Sequence, residues 1–82
     1  MTAKESFLQL SMVQQMLLIM DKGYTLLARK EEAVSIKLFE LNGFYVEVKY
    51  HSIENRIVSI EIVELEEVTD AYLANIKIEN LF

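Results

Sequence analysis

The stretch Leu38-Phe39-Glu40-Leu41-Asn42-Gly43-Phe44-Tyr45-Val46-Glu47-Val48-Lys49-Tyr50 reads as a β-hairpin, and that hairpin decides the fold. Two alternating runs flank Asn42-Gly43, a pair whose backbone accepts the positive φ angles of a tight hairpin turn. A two-residue loop at Asn42-Gly43 would pair Val34, Ile36 and Leu38 with His51, Lys49 and Glu47, mixing apolar and charged side chains. A three-residue loop, Leu41-Asn42-Gly43, shifts the pairing by one. Val34, Ile36 and Leu38 then meet Tyr50, Val48 and Val46, and Lys37 meets Glu47. The chemistry of the pairs favours the three-residue loop.

Period-two texture extends the hairpin in both directions. Tyr24 to Arg29 is expected as a first strand, with Lys30 to Ala33 as its turn. The second strand is expected over Val34 to Leu41, the third over Phe44 to His51 and the fourth over Ile57 to Glu64, with a turn at Glu54-Asn55. Val34, Ile36, Leu38, Val46, Val48, Val58, Ile60 and Ile62 form the expected core face. Phe39 and Tyr45 are expected on the other face, near Lys37 and Lys49, under the C-terminal pair Leu81-Phe82.

Upstream, Lys4 to Lys22 lacks proline and glycine and is rich in Leu, Met and Gln, which predicts one long helix ended by Gly23 as a left-handed cap. On a helical wheel Leu8, Leu10, Met12, Val13, Met16, Leu17, Ile19 and Met20 fill an arc of roughly 200°, where covering a sheet needs little more than about 100°. The surplus arc is the expected interaction surface, with Met12, Met16, Ile19 and Met20 as its interface residues. Thr69 is expected to cap a short C-terminal helix from Asp70 to about Ile76. The expected architecture is therefore α+β: a long N-terminal helix, a four-stranded antiparallel meander and a short C-terminal helix, in one small domain spanning residues 1–82.

The spaced residues Gly23, Leu26 and Arg29, then Leu38-Phe39-x-Leu41, Phe44-Tyr45-Val46-Glu47-Val48-x-Tyr50, Asn55-x-Ile57-x-x-Ile60, and Ala71-Tyr72-Leu73 with Ile76 and Ile78 resemble a group of short bacterial proteins of unknown function. The resemblance covers roughly residues 23 to 78. It implies the same helix, meander and short final helix, and supports Tyr24 to Arg29 as a strand. It brings no activity with it. Members often have proline before the Tyr-Leu step, where this chain has Ala71.

Composition narrows the function. A chain of 82 residues buries only roughly 60–65% of its unfolded surface, so disulfides, metals or self-association commonly reinforce it. There is no cysteine and only one histidine, which leaves self-association, and a homodimer is expected. Thirteen acidic against eight scattered basic residues, net −5, work against nucleic acid and anionic membranes. The N-terminus has no basic region followed by an apolar core, so no signal peptide is read, and a cytoplasmic location is expected.

Catalytic chemistry is poorly provided for. His51 has Ser52 beside it and Glu54 nearby, but strand neighbours point to opposite faces. Gly23 and Gly43 are the only glycines, which excludes a phosphate-cradling loop. The acidic stretch Glu61, Glu64, Glu66, Glu67 and Asp70 lacks the turn glycine of a calcium loop. No catalytic residue, metal site or cofactor is assigned, and the expected function is a non-enzymatic protein-interaction module that self-associates through its N-terminal helix. The alternatives are an inhibitor or immunity-type protein presenting the acidic edge to a basic partner, and a small-ligand-binding domain with Tyr50 or His51 in a pocket between helix and sheet.

Overall fold

A computed structural model describes residues 1–73. The expected α+β class holds: helices α1 (Ala3–Leu8) and α2 (Met12–Lys22) precede strands β1 (Tyr24–Glu31), β2 (Val34–Leu41), β3 (Phe44–His51) and β4 (Arg56–Val63), and α3 (Leu65–Leu73) follows. The strands form an antiparallel sheet in the order β1-β2-β3-β4. The expectations for Ile76 and for Leu81-Phe82 lie outside the described residues.

The central hairpin departs from the expected register. Leu41 pairs with Phe44, leaving Asn42 and Gly43 as a two-residue loop, and both have positive φ, 49° and 88°. That combination matches the twist of the flanking strands. Val34, Ile36 and Leu38 consequently pair with His51, Lys49 and Glu47, while Lys37 pairs with Val48 and Phe39 with Val46. The mixed pairs are tolerated because the sheet is covered on both faces, so neither alternation is wholly polar.

The expected single core face therefore divides in two. On one face Leu41, Phe44, Val46 and Val48 pack with Phe7 and Ile19, joined by Phe39, Ile57, Ile60 and Ile62. On the other, Ile36 and Leu38 pack with Tyr72, joined by Val34, Tyr45, Val63, Leu65 and Val68. Phe39 thus lies with Val46 rather than opposite it. Val58 joins neither core and is partly exposed. It is the extra residue where β4 shifts register against β3, and Leu26 is its counterpart in β1 against β2. Both edge strands are bulged.

The N-terminal segment is two helices rather than one. Each carries a capping box. Thr2 Oγ1 accepts from the Glu5 amide while Glu5 Oε1 accepts from the Thr2 amide, at 3.1 and 3.2 Å. Ser11 and Gln14 repeat the exchange at 3.2 and 2.9 Å. Gln15 Nε2 bridges the break by donating to the Phe7 carbonyl at 3.0 Å. In one straight helix Phe7 and Ile19 would point about 120° apart. The break lets both reach the core, where Phe7 meets Phe44 edge-on at 5.6 Å between ring centroids.

Gly23 is extended rather than left-handed, with φ −80° and ψ 151°. It is small because a Cβ there would lie 2.6 Å from the Ile19 carbonyl oxygen. Helix α3 starts at Leu65, four residues ahead of the expected cap; Thr69 lies inside it and donates through Oγ1 to the Leu65 carbonyl at 2.5 Å. Glu66 and Glu67 in its first turn suit the positive end of the helix.

The turn yields a clean test. A Cβ on Gly43 meets nothing within 4 Å, so Gly43→Ala is opposed only by the positive φ. It should cost about 1–2 kcal/mol in urea unfolding, with the midpoint lowered and the slope unchanged.

Candidate functional site

Helix α2 is apolar on two sides. Ile19 is 1% exposed and sits in the core, with Met16 and Leu18 packed against it. Val13, Leu17 and Met20 are 68%, 60% and 73% exposed, and their i, i+4, i+7 spacing puts them in one outward stripe. Of the four expected interface residues, Met20 lies on this stripe and Met12 is partly exposed. Met16 is intermediate, and Ile19 is intramolecular core and unavailable for contact. Val13 and Leu17, by contrast, are exposed. Both belonged to the wide apolar arc, but the break after α1 was needed to tell its inner half from its outer half.

Beside this stripe a groove of about 390 Å³ opens between α2 and the sheet, lined by Met16, Met20, Thr25, Ser35, Lys37, Phe39, Val48, Tyr50 and Ile57. It exists because an 11-residue helix spans only about 16 Å, while eight-residue strands run about 27 Å. The helices pack near the Asn42-Gly43 end of the sheet and leave the Ser35–Tyr50 end open. Tyr50 lines this groove as anticipated for a ligand site, and its hydroxyl donates to Asn55 Oδ1. His51 does not line it. His51 Nδ1 instead accepts from the Glu54 amide at 3.0 Å, a bond that shapes the β3–β4 loop. Arg56 pairs with the Glu54 carboxylate at 2.7 Å and holds its pKa below the usual range.

The opposite face carries a buried polar cluster that sequence reasoning missed. Glu47 is 6% exposed, accepts a hydrogen bond from the Tyr72 hydroxyl at 3.0 Å and lies 3.8 Å from the Arg29 guanidinium. Arg29 also pairs with Glu31, and its guanidinium carbon sits 5.2 Å from the centre of the Tyr72 ring. Residues from β1, β3 and α3 meet here, so the cluster fastens α3 to the sheet. No spacing rule links positions 29, 47 and 72; only the register brings them together.

The acidic residues Glu61, Glu64, Glu66, Glu67 and Asp70 are exposed along β4 and α3. Glu64 pairs with Lys4 at 3.4 Å. Among the described residues no group of three or more His, Asp or Glu is arranged to hold a metal ion, and no helix is long and apolar enough to cross a membrane. No protein-family model, curated protein or solved structure matches the chain.

The buried cluster makes a pH-dependent prediction. Burial, then the adjacent Glu47 carboxylate and its hydrogen bond, push the Tyr72 phenol well above its ordinary value, with Arg29 opposing. Folding thus favours the protonated phenol. The resulting stability is complete below about pH 10, the unfolded tyrosine's value, and is lost as pH rises above it. Ultraviolet titration should find Tyr72 ionising only with unfolding. Tyr72→Phe should remove that late step and cost about 1–3 kcal/mol, because it leaves a Glu47 lone pair unsatisfied.

Proposed function

We propose that this chain is a non-enzymatic interaction module that pairs with a second copy of itself through the outer stripe of α2. The observation that carries the reading is the exposure of Val13, Leu17 and Met20 on a helix whose inner side is already core. Each such side chain gains about 1.5–3 kcal/mol when fully removed from water. The stripe is uncharged and suits self-pairing. In an antiparallel two-fold arrangement Leu17 meets its own copy, and Val13 meets Met20 on either side. The sheet edges are poorer candidates, because the bulges at Leu26 and Val58 interrupt the regular strand edges that another chain would extend.

Light scattering after size exclusion, over a wide concentration range, tests the proposal. The chain should pass from monomer to dimer with rising concentration. Leu17→Glu, at an exposed position, should keep the circular dichroism spectrum and weaken pairing by on the order of a hundredfold or more. Leu17 is the better probe than Met16, which also packs on the core. A wild-type chain that stays monomeric throughout, or a Leu17→Glu chain that still dimerises, would contradict it.

A further inference from the structure

The register sorts the strand carboxylates onto one face. Glu31, Glu40, Glu47 and Glu61 all lie on the α3 side, together with the basic Arg29, Lys49 and Arg56. On the side facing α1 and α2, the paired positions are Thr25, Ala28 and Lys30 of β1; Ser35, Lys37, Phe39 and Leu41 of β2; Phe44, Val46, Val48 and Tyr50 of β3; and Ile57, Ile60 and Ile62 of β4. This face has two lysines and no carboxylate, in a chain with net charge −5. Lys37 lies in the open groove between Ser35 and Phe39, is its only charged lining residue, and forms no ion pair among the described residues.

We infer that this groove binds a small amphipathic organic anion, its acid group held by Lys37 and its hydrocarbon part by Phe39, Val48, Ile57 and Met16. Three observations converge on that class. The volume of about 390 Å³ falls within the roughly 300–1,000 Å³ of small-molecule sites. The lining is largely apolar, with few polar groups, which is the composition of such sites. The charge of the lining is confined to Lys37, beside the paired Ser35 and Tyr50, while Thr25, Phe39, Val48, Ile57 and the two methionines make up an uncharged remainder. A ligand charged at one end and apolar at the other matches that division. An uncharged apolar ligand would leave Lys37 without a counter-charge, and a wholly polar anion would leave the apolar wall wet. Met20 belongs to both the groove and the outer stripe, but the inference does not rest on self-pairing, because the residues that carry it, Lys37, Phe39, Val48, Ile57 and Met16, lie off the stripe.

Decanoate, kept below its micellar range, is the probe, with decanol as its uncharged counterpart. Amide chemical shifts of the ¹⁵N-labelled chain should change saturably at Ser35, Lys37, Phe39, Val48 and Ile57. Lys37→Gln keeps most of the side chain's length and should weaken decanoate roughly tenfold, the loss of one charge-assisted hydrogen bond, while leaving decanol unchanged. The same titration on Leu17→Glu should give the same decanoate affinity, which separates this site from the pairing surface. Equal binding of decanol and decanoate, insensitivity to Lys37→Gln, shifts centred on Val13 and Leu17, or no saturable change would each overturn the inference.

Discussion

Two consecutive positive φ angles, at Asn42 and Gly43, hold the rest of this structure in place. A strand's side chains alternate between faces, so the loop length sets which half of β2 meets which half of β3. With two residues in the loop, Leu38 stands beside Glu47 and Lys37 beside Val48. A third loop residue would exchange those neighbours and rearrange both cores. Asn42 and Gly43 are among the residues that adopt left-handed backbone most readily, so the local preference and the global packing agree.

From that register come the features that distinguish the two faces. The α3 side receives Glu47, which needs compensation in a buried position; Arg29 from β1 and Tyr72 from α3 provide it. The same contacts tie together elements distant in sequence. The α1/α2 side receives an apolar stretch near the turn and a basic, partly polar stretch beyond it. Short helices cover the first and leave the second open. The groove and the outer stripe of α2 both follow from dividing the N-terminal segment into two capped helices.

Much of this was legible in the residues. Strands β2 and β3 fall where their alternation and the Asn-Gly pair put them, and the excess apolar surface of α2 was visible as an arc too wide for one sheet. The register was misread because cross-strand pairs were judged by direct chemical match, apolar against apolar and Lys37 against Glu47. Lys37 opposite Glu47 is good pair chemistry, but a sheet covered on both sides can place Glu47 inward if Arg29 reaches it. The break between α1 and α2 had a readable signal in Thr2-x-x-Glu5 and Ser11-x-x-Gln14, outweighed by the unbroken helical composition around it. Thr69 looked like a cap, whereas its hydroxyl is satisfied four residues back within the helix. The Arg29–Glu47–Tyr72 cluster had no local signature at all.

Both surfaces thus depend on which neighbours the hairpin brings together. Cross-strand Hα–Hα nuclear Overhauser contacts in the ¹³C,¹⁵N-labelled chain read this directly, since opposed residues in alternate pairs of an antiparallel ladder lie only about 4.5 Å apart at Cα. Strong contacts linking Leu38 with Glu47 and Ile36 with Lys49 are the expected result. Contacts linking Leu38 with Val46, or Lys37 with Glu47, would put the extra residue into the loop and contradict the assignment of Lys37 to the groove and Glu47 to the buried cluster.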